Sequence, residues 1–364
     1  MSVTLFGAPP SLFSGKARAY LDWKGVEYTE KLPSDPVFTS QVVPQVGRPV
    51  IPVVQLADGT LLQDTTIIID HFEAKADGPR VYPETPRQRL AALLLECFGD
   101  EWLVIPAMHY RWHYNEEWIY SEFGKTALPG ATASEQYEAG KKRGAMFKGF
   151  VPMLGINAGT VPAIEASYEA LLSDLDAHFG THDFVLGSRP SIGDYGLIGP
   201  LYAHNYRDPK SGEMMKRLAP NVARWVERMI APVPHSGEFL PGDAIPQTLI
   251  PVLERMMREH IPYLQSVAHL LGHWAKANPG AGVPRAVGMV DFTIEGITGQ
   301  RAALPFGLWM LQRSLDYLAS LTGEARESVG AMLRECGGQA LLEFEMPCRL
   351  TFEDFRLTHS PLSE

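Results

Sequence analysis

The sequence predicts an α/β unit first, an all-helical unit after it, and a mostly helical extension at the C-terminal end. Three observations carry this. Residues 3–18, VTLFGAPPSLFSGKAR, join a short apolar run to a Gly/Pro turn and then to a helix opening at Ser11, the start of a βαβ unit. An apolar run broken by Pro52 is followed by the turn pair Asp58-Gly59 and a return run, which reads as a hairpin with a proline at an edge or bend. From Arg87 onward apolar residues recur mainly at three- and four-residue spacing, the period of helices packed on one another.

Residues 3–6 read as a buried strand. Phe13, Ala17, Tyr20 and Leu21 form one helical face over residues 13–23, and Gly25 closes that helix. Residues 26–29 read as a second strand, and residues 33–49, with four prolines, mostly as loop. Residues 50–56 and 60–62 are the hairpin strands. Asp64-Thr65 then caps a helix whose apolar run includes Ile67, Ile68, Ile69 and Phe72.

The totals exclude several classes of function. A formal charge of -10, with Lys141, Lys142 and Arg143 as the only basic triplet, argues against nucleic-acid binding. Cys97, Cys336 and Cys348 are odd in number and widely spaced, which suits a reducing compartment and not a disulfide scaffold. With no apolar run of about 18 residues and no signal-like start, the expectation is a soluble, cytoplasmic protein without a membrane role.

Residues 82–86, YPETP, read as a linker. A long helix is predicted over residues 87–119, kinked at Pro106, and rich in aromatic residues at His109, Tyr110, Trp112, His113 and Tyr114. His109 and His113 share a face, but no third ligand falls at a convincing spacing, so no metal site is expected. Residues 120–159 change character and read as an insertion. Helix returns at residues 161–178. Ser191 and Asp194 have capping-box spacing before another apolar helical run, and residues 219–229 read as a further helix. Beyond 231 the sequence predicts helices at about 247–259, 262–276, 305–321 and 326–336, with a strand or hairpin at 286–297. Asp291, Glu295 and Arg301 are polar candidates there without a spacing argument to assign them.

Residues 1–82 resemble the thioredoxin-like N-terminal domain of the soluble glutathione transferases. Residues 86–230, interrupted by the insertion at about 120–159, resemble that family's all-α C-terminal domain, and residues 231–364 are an extension beyond it. The resemblance implies that Pro52 is cis and that Ile51 offers backbone hydrogen bonds to glutathione, while Asp64 and Thr65 hold its γ-glutamyl end. It places Ser11, in the pattern Ser11, Phe13, Lys16, beside the glutathione thiol. It also makes Ser191 and Asp194 a structural capping motif, and it implies a homodimer.

The chemistry fits those roles. A hydroxyl donor beside a helix N-terminus favours a thiolate, so Ser11 is the candidate catalytic residue, with Ser14 as a rival donor. Arg48 offers a cation for a glutathione carboxylate, and Phe13, His109, Tyr110 and His113 are candidates for the pocket of a small apolar electrophile. The favoured function is attack of the glutathione thiolate on that electrophile, in conjugation, dehalogenation or ether cleavage. Two alternatives stay open: a non-catalytic binding or interaction protein on the same scaffold, and a glutathione-independent enzyme with its site in the extension.

Overall fold

The computed structural model describes residues 3–75, 78–231 and 236–362, and the junction residues 232–235 of the Pro/Gly-rich stretch lie outside that description. The N-terminal unit is built on four short strands, β1 (Val3–Phe6), β2 (Tyr28–Lys31), β3 (Val53–Gln55) and β4 (Leu61–Gln63), in the spatial order β2-β1-β3-β4. β1 and β2 run parallel through helix α1 (Leu12–Trp23), whereas β3 is antiparallel to both β1 and β4. Strand alternation divides the core in two. Leu5 and Val54 face α1 and the later helices, while Phe6 and Val53 face Phe38, Val42 and Val46. The stretch expected to be mostly loop supplies that second layer, with a π-type turn at Phe38–Val42 running into the short helix α2 (Val43–Val46).

Helix α3 (Thr65–Lys75) completes the N-terminal unit. The single long helix expected over 87–119 is two helices, α4 (Pro86–Glu101) and α5 (Val104–Tyr114), followed at once by α6 (Glu116–Ala127). The break falls at Trp102-Leu103, which puts Pro106 in the first turn of α5, where a missing N–H costs little. The insertion is a helical hairpin of α6 and α7 (Ala133–Lys148). These helices touch backbone to backbone: a Cβ on Gly124 would lie 1.8 Å from the Gln136 carbonyl oxygen.

Helices α8 (Val161–Phe179), α9 (Ile192–Pro200), α10 (Pro209–Leu218) and α11 (Pro220–Met229) form the rest of the helical unit. α9 crosses α4 with no side chain between them. A Cβ on Gly99 would sit 2.3 Å from the Gly196 carbonyl carbon. α1 rests on the same helix, since a Cβ on Gly199 would come within 2.9 Å of the Leu12 side chain.

The extension is α12 (Ile250–Arg255), α13 (Ile261–Ala277), the hairpin β5 (Met289–Ile294) and β6 (Ile297–Ala302), α14 (Phe306–Ser320), α15 (Gly323–Glu335), α16 (Gln339–Leu342) and a second hairpin, β7 (Arg349–Glu353) and β8 (Arg356–Ser360). α12 continues into α13 through a π-type turn at Met256–His260, so Pro262 starts a turn without separating two helices. α14 and α15 pack on α4, and the tip residue Phe355 packs against the apolar cluster containing Phe6 and Val53, which Ile51 also joins. The extension shares the main hydrophobic core: Leu308, Leu311 and Leu333 are buried in the same cluster as Leu94 and Phe98.

Candidate active site

The turn after β1 presents Ser11 as the N-cap of α1. Its Oγ accepts from the Ser14 backbone N–H at 3.2 Å, leaving the Ser11 hydroxyl proton unspent. Ser14 is buried, and its Oγ accepts from the Ala8 backbone N–H at 3.3 Å, so it braces the turn from inside. Ser11 and Phe13 are only partly buried. The turn is further held by Arg111 of α5, whose Nη1 donates to the Pro10 carbonyl at 2.7 Å and whose Nε and Nη2 form a bidentate pair with Asp208. Nothing in the local sequence marked Arg111, because its partners lie about a hundred positions away.

The Ile51–Pro52 peptide bond is cis, as the resemblance implies. Pro52 is buried and Ile51 partly so. Asp64 follows β4 with φ 82, a left-handed conformation uncommon outside glycine, and its carboxylate accepts from the Thr66 backbone N–H at 2.8 Å. Such backbone persists only where its surroundings fix it. Burial raises the Asp64 pKa, partly offset by the nearby Lys16. Thr65, at the start of α3, is buried. Arg48 is exposed on the loop before Ile51 and donates to Gln63 at 3.3 Å.

Behind these residues lies a buried ionic network. Lys16, the basic residue of the α1 pattern, is fully buried, with Nζ 2.9 Å from Glu96 and 2.5 Å from Asp100. Glu96 also accepts from Thr66 Oγ1 at 2.8 Å and from Arg313 of α14 at 3.0 Å. The two carboxyls therefore part ways. Burial opposes ionisation of both, but Glu96 has two cations and is held below the usual range, whereas Asp100 shares one and is pushed well above it. Arg313 continues the network to Asp70 at 3.0 Å and the Tyr82 hydroxyl at 2.9 Å. Met310, one turn earlier on α14, brings Sδ 3.6 Å from Thr66 Oγ1. Glu96 and Asp100, two acids four residues apart on an otherwise apolar helix face, were the sequence signal for this network. Next to them Glu101 is pushed up to about 7, by burial and by the negative charge of Asp64.

The aromatic stretch of α5 turns another way. Two residues along a helix differ by about 200° in direction, so Arg111 meets the turn at Pro10 while His109 meets α8. His109 Nε2 lies 2.8 Å from Glu165, and its Nδ1 lies 3.1 Å from His113. Tyr114 donates to the same Glu165 at 2.6 Å, and Tyr110 packs against Tyr114 and Tyr168. His109 and Tyr110 are buried and His113 is exposed. Among the described residues no hydrogen bond or ring contact joins His109, Tyr110 or His113 to Ser11 or Phe13. Ser191 and Asp194 do form the capping box that begins α9. Asp194 is fully buried and accepts from Ser191 N–H, Ser191 Oγ, Val185 N–H and Trp225 Nε1 at 2.8–3.1 Å.

Two segments of the chain match the models of one known family. Residues 5–80 match the N-terminal domain of glutathione S-transferase, and residues 158–228 match its C-terminal domain. These two segments carry the soluble glutathione S-transferase fold, with the insertion between them and a large helical extension after them. The paired domains support enzymatic activity of the glutathione transferase type at the family level. Among solved structures, the β-etherase LigF from Sphingobium sp. strain SYK-6 is 16% identical, with 64% of this chain and 96% of that one covered and a TM-score of 0.45. A Tau class glutathione S-transferase from mango, Mangifera indica, is 19% identical, covering 68% and 94% at a TM-score of 0.40. FzlA from C. crescentus is 17% identical, covering 68% and 97% at 0.37. No curated protein matches the chain. Among the described residues no helix is long and apolar enough to cross a membrane.

Proposed function

We propose that the protein is a glutathione-dependent enzyme in which Ser11 donates its hydroxyl proton in a hydrogen bond to the glutathione sulfur. The thiolate so favoured attacks a small apolar electrophile, forming a carbon–sulfur bond as the leaving group departs with its electron pair. The observation that carries this reading is the division of labour between the two serines. Each serine accepts from one backbone N–H, but Ser14 is fully buried against Ala8, while Ser11 caps α1 only partly buried, with its hydroxyl open to a ligand. The helix N-terminus adds a favourable field for negative charge. In this reading Ile51 supplies backbone hydrogen bonds beside Pro52, Asp64 and Thr65 receive the γ-glutamyl end, and Arg48 meets a carboxylate. Phe13 remains the pocket residue nearest Ser11 in sequence.

We assign residues 1–82 to the glutathione-binding domain, 86–230 to the helical domain and 231–364 to the extension. The three cysteines are free and buried, which fits a reducing cytoplasm. A homodimer of the kind the resemblance implies must use a face other than the flank of α4, because α14 and α15 already cover it.

The test is calorimetric titration of glutathione into the wild type and Ser11→Ala, with ultraviolet difference spectra reporting bound thiolate. A lowered thiol pKa in the wild type that rises by about 1–2 units in the variant supports the enzyme. Binding with no thiolate signal in either protein selects the non-catalytic binding reading. Absence of binding at millimolar glutathione overturns the transferase reading and leaves an interaction protein or the glutathione-independent enzyme.

A further inference from the structure

A protein interior satisfies its buried cations, and this chain does so at Arg111. That side chain is 2% exposed and donates to Asp208, Pro10 and Ala203. Arg301, on β6 of the extension, breaks the pattern. It is 0% exposed, its Nε and Nη1 have no hydrogen-bond partner, and it forms no ion pair among the described residues. Its guanidinium lies over Tyr263, 4.1 Å from the ring centre, and 5.2 Å from that of Trp102.

His260 repeats the anomaly at the same place. It too is 0% exposed, and neither Nδ1 nor Nε2 has a partner. Its ring centre is 5.3 Å from that of Trp102 and 6.3 Å from that of Tyr263, so the two orphaned groups share the same pair of aromatic neighbours. The Tyr263 hydroxyl is already used: it donates to the Ala302 carbonyl and accepts from the Leu304 N–H. Four nitrogen atoms thus stand without partners in one aromatic-walled place. A buried polar group left unpaired is costly, so the arrangement is poor as a structural device. A buried guanidinium with no direct ion pair, and only the charge of Glu101 near it, is worse still.

We propose that Arg301 and His260 form a carboxylate-binding site within the extension. Two carboxylate oxygens answer the planar guanidinium donors and an imidazole N–H, and Trp102, Tyr263 and Phe98 are the ring neighbours that an aromatic acid would meet there. The site lies close to the N-terminal unit. Glu101 follows directly after α4 residue Asp100, interacts with both Arg301 and Asp64, and has its carboxylate at the N-terminal end of α14, where a Cβ on Gly307 would approach Oε2 to 3.5 Å. The same carboxylate chemistry has two sources: the acid group of a second substrate, or a carboxylate of glutathione itself.

The experiment is calorimetric titration of the full-length protein with benzoate, and with benzamide as the uncharged isostere. Wild type is expected to bind benzoate at least tenfold more tightly than benzamide. Arg301→Met is expected to lose that preference. Arg301→Lys, which keeps the charge but not the planar donors, weakens benzoate binding about tenfold and serves if the methionine variant fails to fold. Titration of the same variants with glutathione separates the sources. Unchanged glutathione affinity assigns the site to a second substrate, whereas parallel loss and competition between benzoate and glutathione assign it to glutathione. Equal binding of benzoate and benzamide overturns the proposal. So does no benzoate binding at tens of millimolar, or unaltered benzoate affinity in both variants. The benzoate result is read without glutathione, so the glutathione-transferase reading stands or falls separately.

Discussion

Replacing Arg313 by methionine tests whether the extension is fastened to the candidate site or merely lies on it. The side chain is 21% exposed and reaches Glu96, which is 1% exposed, Asp70, which is 42% exposed, and the Tyr82 hydroxyl. The Asp70 arm is near solvent and contributes about 1 kcal/mol or less. The Glu96 arm is different, because removing one partner from a buried ion pair costs about 3–5 kcal/mol. Here the loss is cushioned. Glu96 retains Thr66 and Lys16, although Lys16 is shared with Asp100, and Arg313 is itself partly hydrated. The expected cost is therefore about 2–4 kcal/mol at pH 7.5.

Its pH dependence has a definite sign. The folded-state pKa of Glu96 lies below its unfolded value, so its stabilising effect is full above the unfolded value and is lost as pH falls through the folded one. In the variant, with one cation gone, Glu96 takes up its proton at higher pH and escapes the penalty. The difference between the two proteins should narrow from pH 7.5 to pH 4. Urea unfolding, followed by tryptophan fluorescence and by hydrogen exchange of α14, measures both. A loss below 1 kcal/mol at pH 7.5, or a difference that stays constant with pH, would refute this account of the network.

Two further perturbations reach other parts of the molecule. Asp194→Ala leaves two backbone N–H groups, the Ser191 hydroxyl and the Trp225 indole without their acceptor, so a loss of about 3–5 kcal/mol and poor refolding are expected; a loss under 1 kcal/mol in denaturant titration contradicts the capping role. Glu101, with its folded-state pKa raised to about 7, stabilises the fold most below its unfolded value and loses that advantage as pH rises through 7. Glu101→Gln should gain on wild type between pH 5 and pH 8 by about 1–3 kcal/mol and then level off, and a pH-independent difference in melting would show that Glu101 is not the group titrating.

Local signals were legible where one segment decides its own geometry. The first strand and helix of the βαβ start, the Asp64-Thr65 cap and the Ser191–Asp194 box each depend on residues a few positions apart and stand where the pattern put them, whereas the second strand lies two residues later, at Tyr28–Lys31, and Pro52 precedes a strand shortened to Val53–Gln55. What escaped was set by distant partners. Lys16 is buried by partners, Glu96 and Asp100, that lie 80 and 84 residues away. Arg313 is 217 residues from Glu96. The hairpin of β7 and β8 gave no turn signal, because Asp354 and Phe355 take positive φ without a glycine between them. The helical period over 87–119 could not show the break at Trp102-Leu103, since both sides bury their apolar faces in one core. His109 and His113 illustrate the converse: a shared face says nothing about which neighbour that face meets, and Glu165 supplied the answer.

The glycine contacts beneath the turn have a mechanical consequence. α4 meets α9 at Gly99 and Gly196, and α9 meets α1 at Gly199, beneath Leu12. Side chains hop between rotamers, but peptide backbone in a helix does not, so the α4–α9 contact is rigid and the Leu12 side chain is the one layer between it and α1. Ser11, one residue before Leu12, sits at the edge of a stiff floor, and its hydroxyl can turn about its own bonds while the peptide that carries it stays fixed. A larger residue at Gly196 would lift the floor from below. The hydroxyl would then be displaced by a change that touches none of the residues around it.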